Sequence, residues 1–155
     1  MKKLLQALLA SLSLALFAHG ALAQDRGTKE EAMAMAEAAA AHVKKVGAEK
    51  AFKDFSTDKA NWTKKDLYVV AFDMAGNCQA HGVNEKLIGK NLIEMKDQTG
   101  KYFTKAMIDS TKGPTGSGWT DYEWVHPVTK KLEAKSTYSI KLSGFDGLVG
   151  VGIYR

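Results

Sequence analysis

The chain has 155 residues, with 22 basic and 17 acidic side chains and a formal net charge of +5. Because its lysines are scattered rather than clustered, the charge does not indicate a nucleic-acid-binding surface. A single cysteine, Cys78, excludes an internal disulfide, and the absence of a CxxCH motif excludes the usual covalent haem site.

The first residues have the pattern of a secretory signal peptide. Lys2 and Lys3 precede an apolar run from Leu4 to Phe17, and Ala21-Leu22-Ala23 is a small-x-small cleavage site. We therefore predict a signal peptide over residues 1–23 and a periplasmic or secreted protein that begins near Gln24; the alternative is an uncleaved N-terminal anchor. Without the two lysines, 20 basic residues face 17 acidic ones. Residues 24–155 are enough for one domain with a single core.

Two helices are predicted at the start of this domain, over about residues 28–56. Thr28 and Glu31 form a capping box, in which each side chain can bond the other residue's backbone amide. Small and apolar residues then recur at helical spacing as far as Val46, and Gly47 is suited to the C-terminal cap. An alanine-rich helix of this kind should pack closely along a sheet. The second helix is shorter.

Five strands are predicted over residues 67–155. The apolar segment LYVVAF at 67–72 indicates a strand buried on both faces, and a turn connects it to a second strand, Cys78 to His81. Cys78 is interpreted as a small buried residue rather than a reactive thiol. The later strands are predicted at 119–125, 132–142 and 148–154. In the last of them, Gly150 and Gly152 leave one face open for a ring, a backbone or a ligand.

Residues 82–118 are less regular, with one helix predicted from Tyr102 to Lys112 before Gly113-Pro114. Short connections favour pairing between strands that follow each other in sequence. The predicted fold is therefore α+β: a five-stranded antiparallel sheet with the long N-terminal helix on one face and residues 82–118 covering the other. An irregular cover over a sheet favours a small-ligand pocket beneath it.

Four separated segments carry a resemblance to a known family. They are VVAFDMAGNCQAHGVNEKLIGKNL at 69–92, GWTDYEW at 118–124, HPVTKKLEAKSTYSIKL at 126–142 and VGVGIY at 149–154. In this order they resemble the single Cache domain family, Cache type 2. The resemblance implies an extracytoplasmic sensory domain of PAS-like fold that reports a small metabolite, often an organic acid or amino acid, to a kinase or chemotaxis domain.

The chain departs from that arrangement after the last strand. It ends at Arg155, with no transmembrane helix or signalling module in the sequence. We therefore expect a stand-alone exported domain that binds a short organic acid or amino acid for sensing or presentation to a separate membrane receptor, kinase or transporter. The alternative is a protein-interaction module with no ligand of its own, whose cavity is filled by its own side chains.

Six residues are candidates for ligand contact: His81, Trp119, Tyr122, Trp124, Lys135 and Tyr138. Strand alternation places Tyr122 and Trp124 on one face of their strand and Trp119 on the other, and it likewise separates Lys135 from Tyr138. Only part of the set can therefore meet one ligand. The ammonium group of Lys135 is suited to a ligand carboxylate. His81 is interpreted either as a donor into the pocket or as a turn residue that fixes its loop.

Catalytic and metal-binding motifs are not found in the sequence. It contains no HExxH, no GxSxG, no phosphate-binding loop and no Cys-His spacing typical of zinc. We therefore expect a binding domain rather than an enzyme, without a metal or cofactor.

Overall fold

The computed structural model describes residues 25–155, so the predicted signal peptide lies outside the described residues. The helices are α1 (Lys29–Val46), α2 (Ala48–Thr57), α3 (Lys59–Trp62) and α4 (Phe103–Ser110). The strands are β1 (Thr63–Lys64), β2 (Leu67–Asp73), β3 (Cys78–His81), β4 (Ser117–Val125), β5 (Leu132–Lys141) and β6 (Gly147–Tyr154). Within residues 25–155, no helix is both long enough and apolar enough to cross a membrane.

The five longer strands form one antiparallel sheet in the order β3-β2-β6-β5-β4, and the two-residue β1 pairs with the start of β2. This confirms the predicted fold and the pairing of strands that short connections join, whereas β3 and β4, which the long cover segment connects, lie at opposite edges of the sheet. The structure adds one long-range pairing, because β6 returns to the middle of the sheet and lies between β5 and β2. The first long strand and the last strand are therefore adjacent, and both are buried along nearly their whole length.

Helix α1 covers one face of the sheet. Its capping box is formed, since Thr28 accepts from the Glu31 amide and the Glu31 carboxylate accepts from the Thr28 amide. Ala32, Ala36 and Ala39 are fully buried and lie against β2, β5 and β6. Because alanine side chains are short, the helix can approach the sheet closely, as the sequence predicted.

The segment between β3 and β4 covers the opposite face. It contributes Leu87, Leu92, Phe103 and Met107 to an apolar cluster on the outer side of β2 and β4. Helix α4 begins one residue later and ends two residues earlier than predicted. The Asp97 carboxylate connects this cover to the sheet. It accepts a hydrogen bond from the Thr99 amide within the cover and another, at 3.0 Å, from the Glu123 amide of β4.

Cys78 lies in β3 with 1% of its surface exposed, which confirms the interpretation as a buried residue. Burial raises the pKa of its thiol to about 12. The thiolate, which is the reactive form of cysteine, is therefore strongly disfavoured near neutral pH.

Candidate ligand-binding site

A small cavity of about 10 Å³ lies between the sheet and its cover. Space of this size holds about one water molecule. The side chains around it are mostly aromatic and aliphatic, from β2, β3, β4 and the cover: Tyr68, Val70, Phe72, His81, Leu87, Leu92, Phe103, Met107, Tyr122 and Trp124. Phe103 of α4 stacks on Tyr122 with the ring centres 5.1 Å apart, so the cover closes the cavity with an aromatic contact.

Lys135 is buried beside this cavity, with 2% of its surface exposed. Its Nζ donates to the Tyr68 hydroxyl at 2.6 Å and to the Tyr154 hydroxyl at 3.3 Å. The ammonium group also lies 4.0 Å from the centre of the Tyr68 ring and 4.7 Å from that of Tyr154. None of the carboxylates in residues 25–155 forms an ion pair with it. Burial lowers the pKa of Lys135 to about 7, against an opposing effect of Asp66.

The hydrogen bonds around Lys135 have a defined direction. The Tyr154 hydroxyl donates to the Val125 carbonyl oxygen at 3.0 Å, so its oxygen is an acceptor towards its other neighbours. The Tyr68 hydroxyl, 3.2 Å away, therefore donates to Tyr154 and accepts from Lys135. The two phenol groups thus stabilise the ammonium group with oxygen lone pairs, but neither supplies a negative charge, because burial raises both of their pKa values.

His81 stands at the end of β3, and its ring packs against Tyr68 with the centres 5.1 Å apart. Its Nδ1 accepts from the amides of Val83 and Asn84, at 3.3 and 3.1 Å. Burial first, and then the charges of Lys135 and Lys59, lower the pKa of His81 to about 3. The ring is therefore neutral near pH 7, with its proton on Nε2. His81 fixes its loop through Nδ1, and its Nε2–H is left as a donor beside the cavity.

A solvent-open groove of about 470 Å³ adjoins the cavity. It runs between the loop after β3 and the turn that joins β4 to β5, and its wall includes Val83, Val125 and Pro127. His81, Leu87 and Trp124 line both the groove and the cavity. These three side chains are thus the partition between solvent and the buried ammonium group.

The structure brings four of the six predicted site residues together. Tyr122 lies directly opposite Lys135 in the β4–β5 pairing, and Trp124 and His81 line the same cavity. Trp119 and Tyr138 lie elsewhere: they pack on each other at 5.2 Å, in the cluster beneath α1. Strand alternation is the reason, since each is an odd number of residues from the inward-facing members of its strand. We leave those two out of the site.

Sequence reasoning missed Tyr68, Tyr154 and Phe103. Both tyrosines lie in apolar strands, where the sequence pattern predicts core residues. A buried tyrosine hydroxyl, however, generally needs a hydrogen-bond partner. That need was a usable signal for a polar group nearby. Phe103 is the first residue of α4, and nothing in the sequence shows that this helix lies over Tyr122.

The glycine face of β6 is occupied by Lys135 rather than left open. An added methyl group at Gly152 would collide with the side chains of Lys135 and Thr137. We expect Gly152→Ala to lower the free energy of unfolding by roughly 1–3 kcal/mol, because overpacking forces neighbours from their preferred rotamers. Urea denaturation measures this effect, with Gly113→Ala as the control, since no atom lies within 4 Å of that position. Equal stability of both variants would contradict the placement of Lys135 against Gly152.

A larger groove of about 600 Å³ lies on the outer side of α2, where Phe52, Phe145 and Ile88 form apolar walls. Its buried hydroxyl, Ser56, already donates to the Phe52 carbonyl oxygen. The groove is wider than the cavity beside Lys135, but the buried cation without an anionic partner lies on the other side of the sheet.

Several proteins of known structure share this architecture. A methyl-accepting chemotaxis protein from Vibrio parahaemolyticus is 28% identical, with a TM-score of 0.69 over 81% of this chain and 87% of that one. A Cache chemosensory domain solved for its recognition of carboxylic acids superposes with a TM-score of 0.67 at 20% identity, over 81% and 91% of the two chains. A periplasmic sensor domain of a chemotaxis protein gives 0.64 at 21% identity, over 81% and 88%. At these last two identities the likeness is one of fold.

A curated relative is the sensor histidine kinase MctS of Rhizobium johnstonii, which is 28% identical over 90 residues, or 58% of this chain. The match covers 19% of the kinase, so the chain spans about a fifth of its length. The model of the family described as single Cache domain 2 matches residues 11–155, and these residues include every described helix and strand. The chain therefore belongs to the single Cache domain family.

Proposed function

We propose that this chain binds a short organic monocarboxylate at the cavity beside Lys135. Domains of its family are extracytoplasmic sensory modules of chemotaxis receptors and sensor histidine kinases. The observation that carries the proposal is the buried Lys135 ammonium group, which has two phenol contacts and, within residues 25–155, no carboxylate partner. A buried charge without an opposite charge is unfavourable, so an anionic ligand that reaches it gains a strong charge-assisted hydrogen bond.

The chemistry of the lining favours a monocarboxylate over the other ligands expected from the sequence. Among the residues that the structure describes, no acidic side chain lines the cavity, so the ammonium group of an amino acid would have no anionic partner there. A second carboxylate would likewise find no second cation among the lining residues. The Nε2–H of His81 is a neutral donor that can complete the coordination of a single carboxylate. A carboxylic acid is also what the Cache chemosensory domain described above recognises.

Binding requires the site to open, because even the smallest carboxylate is larger than the water molecule for which the cavity has room. The partition of His81, Leu87 and Trp124 separates the open groove from the buried site. We therefore expect the ligand to enter from the groove, with rearrangement of this partition or of the Phe103 contact above it.

A thermal-shift panel on residues 24–155 tests the proposal. It contains C2 to C6 monocarboxylates, the matching dicarboxylates, and amino acids. At 100 times its dissociation constant, a ligand of the folded state adds about 2.7 kcal/mol to the free energy of unfolding, which raises Tm by several degrees. We expect this rise with one or more monocarboxylates. If a well-folded sample shows no rise with any monocarboxylate, the proposal fails.

The small cavity also favours a second candidate function, a protein-interaction module without a ligand, since its own side chains nearly fill the space. Such a module would capture a membrane receptor or kinase to the same extent with and without added acid. If both the Tm and the capture of the partner depend on the ligand, the result supports the sensory function over the interaction module.

Export and signalling partners complete the proposal. A signal peptide over residues 1–23 would deliver the domain to the periplasm or the cell exterior, where a receptor, kinase or transporter could read its ligand state. N-terminal sequencing of the exported protein tests the first step, with Gln24 expected as the first residue. The stand-alone arrangement stays a prediction.

A further inference from the structure

A second buried charge lies near Lys135. Asp66, in the turn between β1 and β2, has 1% of its surface exposed. One carboxylate oxygen accepts from the Gly27 amide at 2.7 Å, just before α1, and the other lies 3.4 Å from Nε2 of His126. A buried carboxylate normally lies against a cation, so the identity of its partner is informative.

The partner of Asp66 is a neutral ring. His126 is fully buried in the turn after β4, and its Nδ1 accepts from the amides of Val128 and Thr129 at 3.1 and 3.2 Å. A nitrogen that accepts two N–H groups carries no proton, so the ring has its single proton on Nε2 and donates it to Asp66. The hydrogen bonds to Asp66 thus come from neutral donors, and its negative charge is left uncompensated by them.

Two aromatic rings, those of His126 and Tyr154, lie between this anion and the ammonium group of Lys135. The His126 ring packs on Tyr154 with the centres 4.5 Å apart, and the Tyr154 hydroxyl contacts Lys135. Both charges are removed from water, which would otherwise screen them. Asp66 also acts on Lys135 in the expected direction, since it raises the pKa that burial lowers.

We infer that Asp66 is the structural counter-charge of Lys135, held apart from it by the rings of His126 and Tyr154, so that it favours the ammonium form of Lys135 while the contact position of that group remains free for a ligand anion. A carboxylate in direct contact would occupy that position itself. Asp66 is thus a positioning residue for the binding site, and this role deepens the proposed function. Asp66 also accepts from the Gly27 amide, so it contacts the segment that leads into α1.

The other groups that face Lys135 are neutral or already paired, so Asp66 is the group that compensates its positive charge. Phe103 and Met107 of the cover are not ionisable, and burial favours the neutral forms of the phenols and of His81 by raising the phenol pKa values and lowering that of His81. Glu133, two residues along β5, is paired with Arg26 at 2.7 Å. The titratable groups around Lys135 are Asp66, Tyr68, His81, Tyr122, His126, Glu133 and Tyr154, whereas Asp121 and Glu123 lie on the other face of β4.

The test is a pH titration of the Lys135 side chain by NMR, in protein labelled with ¹⁵N-lysine and without any ligand. We expect Asp66→Asn to lower the midpoint by about one pH unit, as for two unit charges roughly 10 Å apart in a medium of intermediate dielectric constant. Glu133→Gln removes the same charge from a solvent-accessible pair and should change the midpoint far less. An unchanged midpoint in Asp66→Asn, or equal changes in both variants, would overturn the inference.

Ligand binding plays no part in this titration, so its failure is distinguishable from failure of the proposed function. If Asp66→Asn is too unstable to titrate, a double-mutant cycle with Lys135→Met replaces it. A counter-charge role predicts that Asp66→Asn destabilises the Lys135→Met background less than the wild type, because no buried cation is then left alone. If Asp66→Asn lowers the free energy of unfolding equally in the two backgrounds, Asp66 is only a structural hydrogen-bond acceptor, and the inference is wrong.

Discussion

Lys135→Met is expected to weaken carboxylate binding and to stabilise the unliganded protein at pH 7, because it removes a buried ammonium group; the gain is reduced by the charge compensation that Asp66 then loses. Burial holds the pKa of Lys135 near 7, far below its ordinary value of 10.5, which means that the folded state disfavours the ammonium group. Methionine has a similar length and needs no hydration. The wild-type residue is thus kept at the expense of stability, as is common for binding residues.

The stability of the wild-type protein is expected to rise with pH above pH 7. Between pH 7 and pH 10.5 the unfolded chain holds a proton on Lys135 that the folded chain has lost, so the wild-type free energy of unfolding rises with pH. The slope approaches about 1.4 kcal/mol per pH unit. Above pH 9 the rise is opposed, because burial raises the pKa of Cys78 from 9.0 to about 12 and the unfolded thiol loses its proton first. The useful window is therefore pH 7 to 9.

Urea denaturation at several pH values in this window measures the effect. The slope should vanish in Lys135→Met and persist in Lys141→Met, which changes an exposed lysine of the same strand. Calorimetry with the acid identified by the panel supplies the second readout. Loss of the partner of a buried charge costs about 2–5 kcal/mol, or at least about 30-fold in affinity. An unaltered slope would show that Lys135 is not buried as described, and unaltered affinity would remove it from the site.

The sequence was sufficient for most of the fold. Capping at Thr28, the apolar strand at 67–72 and the glycines at turns each act through local physics, and each was confirmed. Strand alternation also separated Trp119 from Tyr122. The sequence left Tyr122 and Lys135 as unrelated candidates, whereas the observed register makes them direct neighbours.

The polar part of the site depends on long-range pairing. Tyr68 and Tyr154 are 86 residues apart and meet only because β6 returns beside β2. Asp66 and His126 are 60 residues apart and meet through two turns. No local pattern encodes such contacts, since each residue has an ordinary role within its own segment. The sequence therefore indicates Lys135 as a candidate, but its phenol partners and the nearby Asp66 could be found only once the strand order was known.

Phe103→Ala is expected to enlarge the cavity and shift its preference towards longer monocarboxylates. The Phe103 ring is buried, stacks on Tyr122 and contacts Trp124 at 5.1 Å, so its removal leaves space directly above the proposed carboxylate position. We expect a loss of about 3–5 kcal/mol in the free energy of unfolding. Longer acids should recover part of this loss, because their chains fill the space that the ring occupied.

Thermal shifts with the C2 to C6 series measure that preference. The matched control is Phe55→Ala, which removes an equally buried ring from the opposite face of the sheet, where it packs on Trp62 at 4.6 Å. Both variants should be destabilised, but only Phe103→Ala should respond best to a longer acid than the wild type does. If destabilisation leaves too little folded protein, Phe103→Leu opens a smaller space in the same place. A chain-length optimum that is identical in Phe103→Ala, Phe55→Ala and the wild type would place the ligand away from α4.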